Sequence, residues 1–404
     1  MAERPAFVVI GGGLAAAKAV ETLRAEGFEG RLVVVAEEPV PPYERPPLSK
    51  GYLQGGDTFA DARVHDEGFY GEHDIELLGG TRATALDPGA HRIDLSDGST
   101  LGYDQVLIAT GAIPRRPPIP GAEDERVRTL RTVADSDALR AALGPGAHLV
   151  VIGAGWIGSE VAASARGLGA DVTVVEQADN PLERVLGAEL GAYFGRLHRD
   201  HGVRLLTGAG VEGIEDGRRV RLAGGDTLDA DLVLLGVGVA PATGLADAAG
   251  LAVDDGIVVD EHLRSATPGV LAAGDVASAR HARYGRQVRV EHWDNAIGQG
   301  EAAARSMLGS DEPYTRLPYF FTDQYELGME YVGLHAPDDR LVVRGSLDDD
   351  AFQAYWVGGD GRLTAALHVN DWDAIDPMRA LVDAAAVVDL EQLGDTGRPL
   401  PEPG

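Results

Sequence analysis

The chain of 404 residues has no cysteine and few positive charges for its size. Without cysteine it cannot form a disulfide, a dithiol redox pair or a thiolate metal site. Its 35 basic residues stand against 64 acidic ones, and the formal net charge of −29 argues against nucleic acid or an anionic membrane as a partner. No apolar run reaches the roughly 20 residues that a membrane-spanning helix requires.

Other global features predict a globular protein with several domains. The length suggests two to three domains, because single hydrophobic cores stop growing beyond about 250–300 residues. The hydrophobic fraction of 44% is ordinary for a globular chain. The first predicted strand begins at Phe7, which leaves no room for a signal peptide, so we expect a cytoplasmic location.

Two glycine-rich segments carry the strongest functional signal. One runs from Gly11 to Ala16 and the other from Gly153 to Gly158, and each lies between a β-branched run and a helical stretch. Glycine permits a tight turn there and lets backbone amides approach a pyrophosphate at the helix N-terminus. Two dinucleotide sites on one chain suggest hydride transfer from a nicotinamide to a bound flavin.

An acidic residue at the end of the second strand should hold a ribose in each site. Glu37 has this position in the first site, with Glu38 as the weaker alternative, and Glu176 has it in the second. Because a carboxylate repels a 2′-phosphate, Glu176 favours NAD over NADP.

Lys50 and Glu160 form a second candidate pair. They are either solvated surface charges or a functional pair, in which Lys50 stabilises negative charge on a reduced flavin and Glu160 holds the ammonium group in place. The paired glycine segments support the functional interpretation.

A run of basic residues at positions 280–289 and the nearby His292 are two further candidate sites. The run contains Arg280, His281, Arg283, Arg286 and Arg289, and it is either a solvated loop or a docking patch for an anionic protein. His292 lies beside two carboxylates, but ligand spacing is absent elsewhere, so we expect no metal site. Trp293 is expected to pack against a planar ring or in the core.

Several longer motifs together carry a family resemblance. They are Pro42-Tyr43-Glu44-Arg45-Pro46-Pro47-Leu48-Ser49-Lys50, Ala109-Thr110-Gly111 with Pro114, Gly274-Asp275, Glu291-His292-Trp293 and Asp323-Gln324-Tyr325. Through them the chain resembles the FAD-dependent, NADH-dependent ferredoxin reductases of the putidaredoxin reductase and rhodocoxin reductase type, which serve oxygenases. The resemblance extends over almost the whole length.

The resemblance implies an α/β, glutathione-reductase-like fold. It has two Rossmann-type nucleotide-binding domains and a C-terminal α+β domain. FAD would be bound by residues 1–113 and 245–317, and NAD by residues 114–244. Residues 318–404 would form the C-terminal domain over the flavin.

The same resemblance, with the glycine motifs, assigns site residues. Those expected at FAD are Gly11, Gly13, Leu14, Ala15, Glu37, Arg45, Lys50, Ala83, Thr110, Gly111, Arg131, Gly274, Asp275 and Trp293. Those expected at NAD are Gly153, Gly155, Ile157, Gly158, Glu160, Glu176 and Gly238. Lys50 and Glu160 are the candidates for a catalytic role.

The implied activity is electron transfer from NADH through FAD to a small iron–sulfur ferredoxin that feeds a P450 or an oxygenase. Two alternatives stay open: an NADH oxidase or quinone-type reductase, and a flavoprotein resembling apoptosis-inducing factor with a binding role. Phe321 departs from the pattern, because many relatives carry tryptophan at this position close to the flavin.

Overall fold

The computed structural model describes residues 4–402. These residues form two compact units. The first unit contains residues 4–45, 59–113 and 240–316, and the second contains residues 46–58, 114–239 and 317–402.

The strands of the described chain are short and mostly buried. They are β1 (Ala6–Ile10), β2 (Arg31–Ala36), β3 (Ile75–Gly79), β4 (Ala83–Asp87), β5 (Arg92–Leu95), β6 (Thr100–Gly102), β7 (Gln105–Ile108), β8 (Ala112–Pro114), β9 (Val127–Arg128), β10 (His148–Ile152), β11 (Asp171–Val175), β12 (Arg204–Leu206), β13 (Val211–Glu215), β14 (Arg219–Leu222), β15 (Thr227–Asp229), β16 (Leu232–Leu235), β17 (Val239–Pro241), β18 (Ile257–Val259), β19 (Val270–Ala272), β20 (Ala277–His281), β21 (Arg286–Val288), β22 (Tyr319–Gln324), β23 (Leu327–Gly333), β24 (Arg340–Gly345), β25 (Phe352–Val357) and β26 (Leu363–Val369).

The helices range from single turns to five turns. They are α1 (Leu14–Ala25), α2 (Gly51–Gln54), α3 (Phe59–Ala62), α4 (Phe69–Glu72), α5 (Val133–Ala142), α6 (Trp156–Gly167), α7 (Glu183–Asp200), α8 (Gly244–Ala248), α9 (Trp293–Met307), α10 (Ile375–Asp383) and α11 (Leu390–Gly394). Two 3-10 turns cover Pro46–Ser49 and Gly274–Val276.

The first unit is built on a parallel sheet in the order β3-β2-β1-β7-β19. Its inner strands β1, β2 and β7 are mostly buried Val, Ile and Leu, as expected for strands covered on both faces, whereas the edge strand β3 is partly exposed. The chain order reverses direction between β1 and β7. Ligands of such sheets bind in the crevice at the carboxyl ends of the strands, where the order reverses.

Helix α9 packs closely against α1 in this unit. A Cβ on Gly300 would lie 2.4 Å from the carbonyl oxygen of Ala15, so only glycine allows this approach. The small side chains of α1 and α9 are buried in the same core as the sheet. This packing places the chain that leads into α9 beside the first glycine-rich loop.

The second unit repeats the same sheet design. Its parallel order is β12-β11-β10-β16-β9, again with the reversal beside the strand that precedes the glycine loop. The unit also contains an antiparallel sheet, β22-β23-β26-β25-β24. Helix α7 packs on that sheet through Leu186, Leu190, Tyr193 and Phe194, in one cluster with Phe320 and Tyr331.

The α/β class with two Rossmann-type sheets is confirmed. The division at residues 113, 244 and 317 stays a prediction, because the two compact units follow a different partition. Residues 403 and 404 of the predicted C-terminal domain lie outside the described part. Among residues 4–402, no helix is both long and apolar enough to cross a bilayer.

Candidate functional site

The first glycine-rich loop has the geometry of a pyrophosphate cradle. Gly11 has φ +136°, and a Cβ there would lie 2.1 Å from the carbonyl oxygen of Ala109. Gly13 is the N-cap of α1, has open space where a Cβ would be, and supplies no side chain to the helix amides. The first turn of α1, beginning with Leu14 and Ala15, carries no acidic residue. Its free amides and the helix dipole therefore favour an anion here.

The two candidate ribose ligands have different surroundings. Glu37 is exposed directly after β2. Glu38 accepts hydrogen bonds from the Tyr43 hydroxyl at 2.6 Å and from Arg45 at 2.9 Å. The guanidinium group of Arg45 also lies over the Tyr43 ring. Glu38 is thus engaged in ordering the proline-rich loop, which supports Glu37 as the ribose ligand.

Four of the other predicted residues of the first unit follow strands of the parallel sheet at their carboxyl ends. Thr110 follows β7 and donates its hydroxyl hydrogen to the Ala242 carbonyl at 2.9 Å, and Gly111 has φ +68°. Gly274 follows β19, and a Cβ there would lie 3.2 Å from the Cβ of Ala15. Asp275 is therefore held next to the start of α1, whereas Ala83 begins the separate strand β4.

His292 and Trp293 stand at the entry to α9. Burial lowers the pKa of His292 to about 4, although the nearby Asp275 carboxylate acts in the opposite direction. The ring is therefore neutral at pH 7. Within residues 4–402, no group of three or more His, Asp or Glu side chains could hold a metal.

Acid should destabilise the protein through His292. The unfolded imidazole binds a proton near pH 6.5 and the folded one only near pH 4, so the unfolded state binds more protons between these values. The contribution of His292 to the free energy of unfolding is therefore fully present above about pH 6.5, and it is lost as the pH falls towards 4. We expect the urea midpoint to fall between pH 7 and pH 5, and to fall less in a His292→Asn variant. The exposed His73→Asn variant is the control, and an identical pH response in all three proteins would contradict the argument.

The second glycine-rich loop repeats the cradle in the second unit. Gly153 has φ +98°, and a Cβ on Gly158 would lie 2.1 Å from the carbonyl oxygen of Gly153. Gly155 caps α6, whose first turn has no acidic residue, and Ile157 is 40% exposed beside it. Gly238, with φ +91° and open space around it, follows β16 at the same edge of the sheet.

Glu176, directly after β11, accepts two hydrogen bonds from backbone amides. Its Oε2 accepts a hydrogen bond from the Ala154 amide at 2.7 Å, and its Oε1 accepts one from the Ala178 amide at 2.8 Å. The carbonyl oxygen of Ala154 accepts a further bond from the Leu182 amide at 3.0 Å. The buried carboxylate thus fixes the glycine loop, and its role at an adenosine ribose stays a prediction.

The predicted pair of Lys50 and Glu160 is present within the second unit. Lys50 Nζ lies 2.8 Å from Glu160 Oε2, and the two side chains are 15% and 5% exposed. Glu160 also accepts hydrogen bonds from the hydroxyl groups of Ser49 at 2.5 Å and Thr322 at 2.6 Å. The ammonium group lies 5.4 Å from the centroid of the Phe321 ring. Three donors therefore compensate the burial of one carboxylate.

Sequence reasoning missed several of these contacts. Ser49 and Thr322 lie inside or beside the recognised motifs, but nothing in the sequence indicates that both bind Glu160. The backbone bonds of Glu176 were also missed, because amide partners leave no trace in the sequence. Arg131 lies two residues before α5, and its backbone amide donates to the Asp135 carboxylate.

The basic run lies in the hairpin β20-β21, and two of its four arginines have acidic neighbours. Arg289 is 11% exposed and pairs with Asp255 and Glu291. Arg280 lies 3.9 Å from Glu261. His281 is buried and contacts the Arg316 carbonyl. Two of the four arginines of the predicted docking patch, Arg280 and Arg289, thus have acidic neighbours, and docking on the hairpin stays a prediction.

Comparison with known proteins assigns this pair of cradles to a family. Residues 5–300 match the family described as pyridine nucleotide-disulphide oxidoreductase, and residues 319–402 match the domain described as reductase C-terminal. The chain belongs to the pyridine nucleotide-disulphide oxidoreductase family. Its predicted resemblance to ferredoxin reductases is confirmed by the relatives within this family.

Two relatives and one solved structure illustrate the similarity. The 5,5′-dehydrodivanillate O-demethylase ferredoxin reductase subunit of Sphingobium is 38% identical, over 98% of this chain and 97% of its own length. Putidaredoxin reductase of Pseudomonas putida is also 38% identical, over 98% and 96%. The structure of the covalent putidaredoxin reductase–putidaredoxin complex has a TM-score of 0.94 at 37% identity, covering 98% of this chain and 97% of that one.

Proposed function

We propose that this chain passes electrons from NADH, through bound FAD, to a small iron–sulfur ferredoxin that serves a P450 or another oxygenase. The observation that carries the proposal is the presence of two complete dinucleotide cradles in a chain without cysteine. Relatives over the full length are named as ferredoxin reductases. A cytoplasmic location, where NADH is available, is part of the same proposal.

The first cradle fits FAD. Gly11, Gly13 and the amides of α1 would bind the pyrophosphate, and Glu37 would bind the adenosine ribose. Asp275, held beside α1, would bind hydroxyl groups of the ribitol chain. The adjoining positions proposed at FAD are Leu14, Ala15, Arg45, Lys50, Ala83, Thr110, Gly111, Arg131, Gly274 and Trp293.

The second cradle fits NADH. Gly153, Gly155 and Gly158 would bind its pyrophosphate, and Glu176 would bind the adenosine ribose. Ile157 and Gly238 offer an exposed apolar side chain and an open backbone position at the same edge. We assign Glu160 a positioning role, because its carboxylate contacts the Lys50 ammonium group and accepts hydrogen bonds from Ser49 and Thr322.

FAD, when bound, supplies the ability to accept two electrons as a hydride and release them singly. The protein supplies binding, orientation and charge. Lys50 carries a positive charge that favours electron density on a neighbouring ring, and Glu160 holds its ammonium group at one position. The absence of cysteine excludes a relay through a thiol of this chain.

We expect the purified protein to be yellow and its flavin absorbance to bleach on anaerobic addition of NADH. Adding an oxidised ferredoxin should then restore the yellow colour. A chain that stays colourless after reconstitution with FAD would contradict the cofactor assignment. Restoration of colour by oxygen or a quinone at rates that exceed every ferredoxin would favour the oxidase alternative. A long-lived reduced complex with NAD that no acceptor reoxidises would favour the binding role.

A further inference from the structure

Helix α9 carries three polar side chains that are almost completely buried. Asp294, Asn295 and Gln299 are 5%, 4% and 2% exposed. A buried polar group costs free energy unless it is hydrogen-bonded, so each of these side chains needs a partner that the fold holds in place. The partners of all three lie on segments that precede or follow α9 in the chain.

Gln299 binds the turn that carries Asp275. Its side-chain oxygen Oε1 accepts a hydrogen bond from the Gly274 backbone amide at 2.8 Å. Gly274 has φ +81°, is itself buried, and begins the 3-10 turn Gly274–Val276. The bond therefore ties the backbone orientation of this turn, and with it the direction of the Asp275 side chain, to α9.

The glycines on either side of Gln299 allow this approach. Glycine in the interior of a helix lowers its stability relative to alanine, so the sequence Gly298-Gln299-Gly300 is unexpected within α9. A Cβ on Gly300 would lie 2.4 Å from the carbonyl oxygen of Ala15 in α1. A Cβ on Gly298 would lie 2.8 Å from Arg316 Cδ. The two glycines thus let α9 pack closely against both neighbours, while the glutamine between them reaches the turn.

The start of α9 is fixed by the other two buried side chains. Asn295 donates a hydrogen bond to the Val290 carbonyl at 3.0 Å and accepts one from the Tyr314 hydroxyl group at 3.1 Å. The Asp294 carboxylate pairs with the Arg316 guanidinium group. Because these contacts hold the first turn of the helix, the glutamine one turn further along has a defined position.

The turn bound by Gln299 adjoins the first glycine-rich loop. A Cβ on Gly274 would lie 3.2 Å from the Cβ of Ala15, which is buried in the first turn of α1. Gln299 is therefore one hydrogen bond away from residues that we assign to the FAD site. Its influence on a bound cofactor would act through this turn.

We propose that Gln299 is a positioning residue of the FAD site, which holds the Gly274 amide so that the Asp275 carboxylate meets the ribitol chain. This inference rests on the proposed function and adds a residue to it. Without the acceptor, the turn would rotate to relieve the unpaired buried amide, and the Asp275 side chain would move with it. A role in packing alone is the alternative, and it predicts a loss of stability with no selective loss of ribitol recognition.

The test measures the Kd of FAD for the full-length apoprotein by quenching of FAD fluorescence. Gln299→Met keeps the approximate length of the side chain but removes the acceptor, and it should raise this Kd about tenfold. Gln299→Glu keeps an oxygen that can accept the Gly274 amide, so its Kd should be closer to the wild-type value. Gln353→Met is the matched control and should leave the Kd unchanged. Gln353 also accepts a side-chain hydrogen bond, from Tyr355 at 2.5 Å, but lies on β25 of the antiparallel sheet.

Two further measurements separate positioning from packing. ADP contains the adenosine and pyrophosphate of FAD but no ribitol chain, so its Kd, obtained by competition with FAD, should not change in Gln299→Met. In an Asp275→Ala background, Gln299→Met should raise the Kd for FAD by less than about twofold, because the effects of a residue that acts through another are not additive.

A wild-type Kd for FAD in Gln299→Met would overturn the inference. An equal rise in the Kd for FAD and for ADP, or an undiminished effect in the Asp275→Ala background, would also overturn it, because either result assigns Gln299 to packing alone. Should Gln299→Met not fold, Gln299→Asn, whose shorter side chain withdraws the acceptor from the amide, is compared in the same way. If the wild-type apoprotein binds no FAD, the proposed function itself is wrong.

Discussion

Replacing Lys50 by methionine should slow flavin reduction by NADH about 100-fold, equivalent to about 2.7 kcal/mol of activation free energy. The side chain keeps its approximate length but loses the positive charge that we propose favours electron density on the flavin. FAD should stay bound, because its proposed phosphate and ribose ligands lie on other elements. Stopped-flow absorbance gives the rate, and the flavin midpoint potential should fall, which is a readout independent of turnover.

The chain offers a matched control for this experiment. Lys18 also forms an ion pair at 2.8 Å, with Glu21, but lies on the surface of α1. Lys18→Met should therefore leave both rate and potential unchanged. Removing Lys50 also leaves the buried Glu160 carboxylate without its cation. A change of this kind can lower the free energy of unfolding by about 3–5 kcal/mol. The double variant Lys50→Met/Glu160→Gln removes that penalty, so slow reduction in a stable double variant would show that the lost charge is responsible. A wild-type rate in the double variant would make Lys50 a structural residue only.

The enzyme should prefer NADH over NADPH by about 100-fold in kcat/KM. A 2′-phosphate about 4 Å from the Glu176 carboxylate would meet a repulsion of about 1 kcal/mol in water and about 4 kcal/mol at an effective dielectric constant of 20. Glu176 cannot turn away easily, because both of its oxygens accept backbone hydrogen bonds. Steady-state kinetics with both cofactors measures the preference directly.

The structure changes what a substitution of Glu176 should do. Glu176→Ala removes the repulsion, but it also removes the acceptor of the Ala154 amide inside the glycine loop. We therefore expect the preference to narrow to about tenfold, with most of the change arising from a lower kcat/KM for NADH. Equal use of both cofactors by the wild-type enzyme would contradict the assignment. Arg184, exposed in the first turn of α7, is the residue to replace next, because loss of NADPH activity in Arg184→Ala would show that it binds the phosphate.

The nucleotide-binding cores could be read from the sequence because their signals are local. A β-branched run, a glycine turn and a helical stretch follow one another without interruption. The first strand, predicted to begin at Phe7, begins at Ala6, and each glycine segment is followed by a helix, at Leu14 and at Trp156. Parallel strands that are buried on both faces form short continuous apolar runs, so their positions are easy to locate in a sequence.

The C-terminal sheet, the contacts of Glu160 and the surroundings of the arginine run depend on residues that are distant in sequence. No strand is predicted from the sequence at β22, where burial alternates along the strand but two of the buried side chains, Thr322 and Gln324, are polar. Thr322 meets Glu160 across 162 positions, a separation that no local pattern indicates. The arginine run is a different case: four arginines close in sequence suggest a basic patch, and folding places acidic neighbours beside two of them.

The stoichiometry of electron transfer tests the central claim most directly. Under anaerobic conditions, a limiting amount of NADH is added to the FAD-loaded enzyme with excess oxidised [2Fe–2S] ferredoxin, and both reactants are followed by absorbance. The proposed function predicts two ferredoxins reduced for each NADH oxidised, with no reduction when the enzyme is omitted. Oxidation of NADH without reduction of ferredoxin would contradict it. In a parallel experiment in air, consumption of one O2 molecule for each NADH would identify oxygen as the acceptor instead.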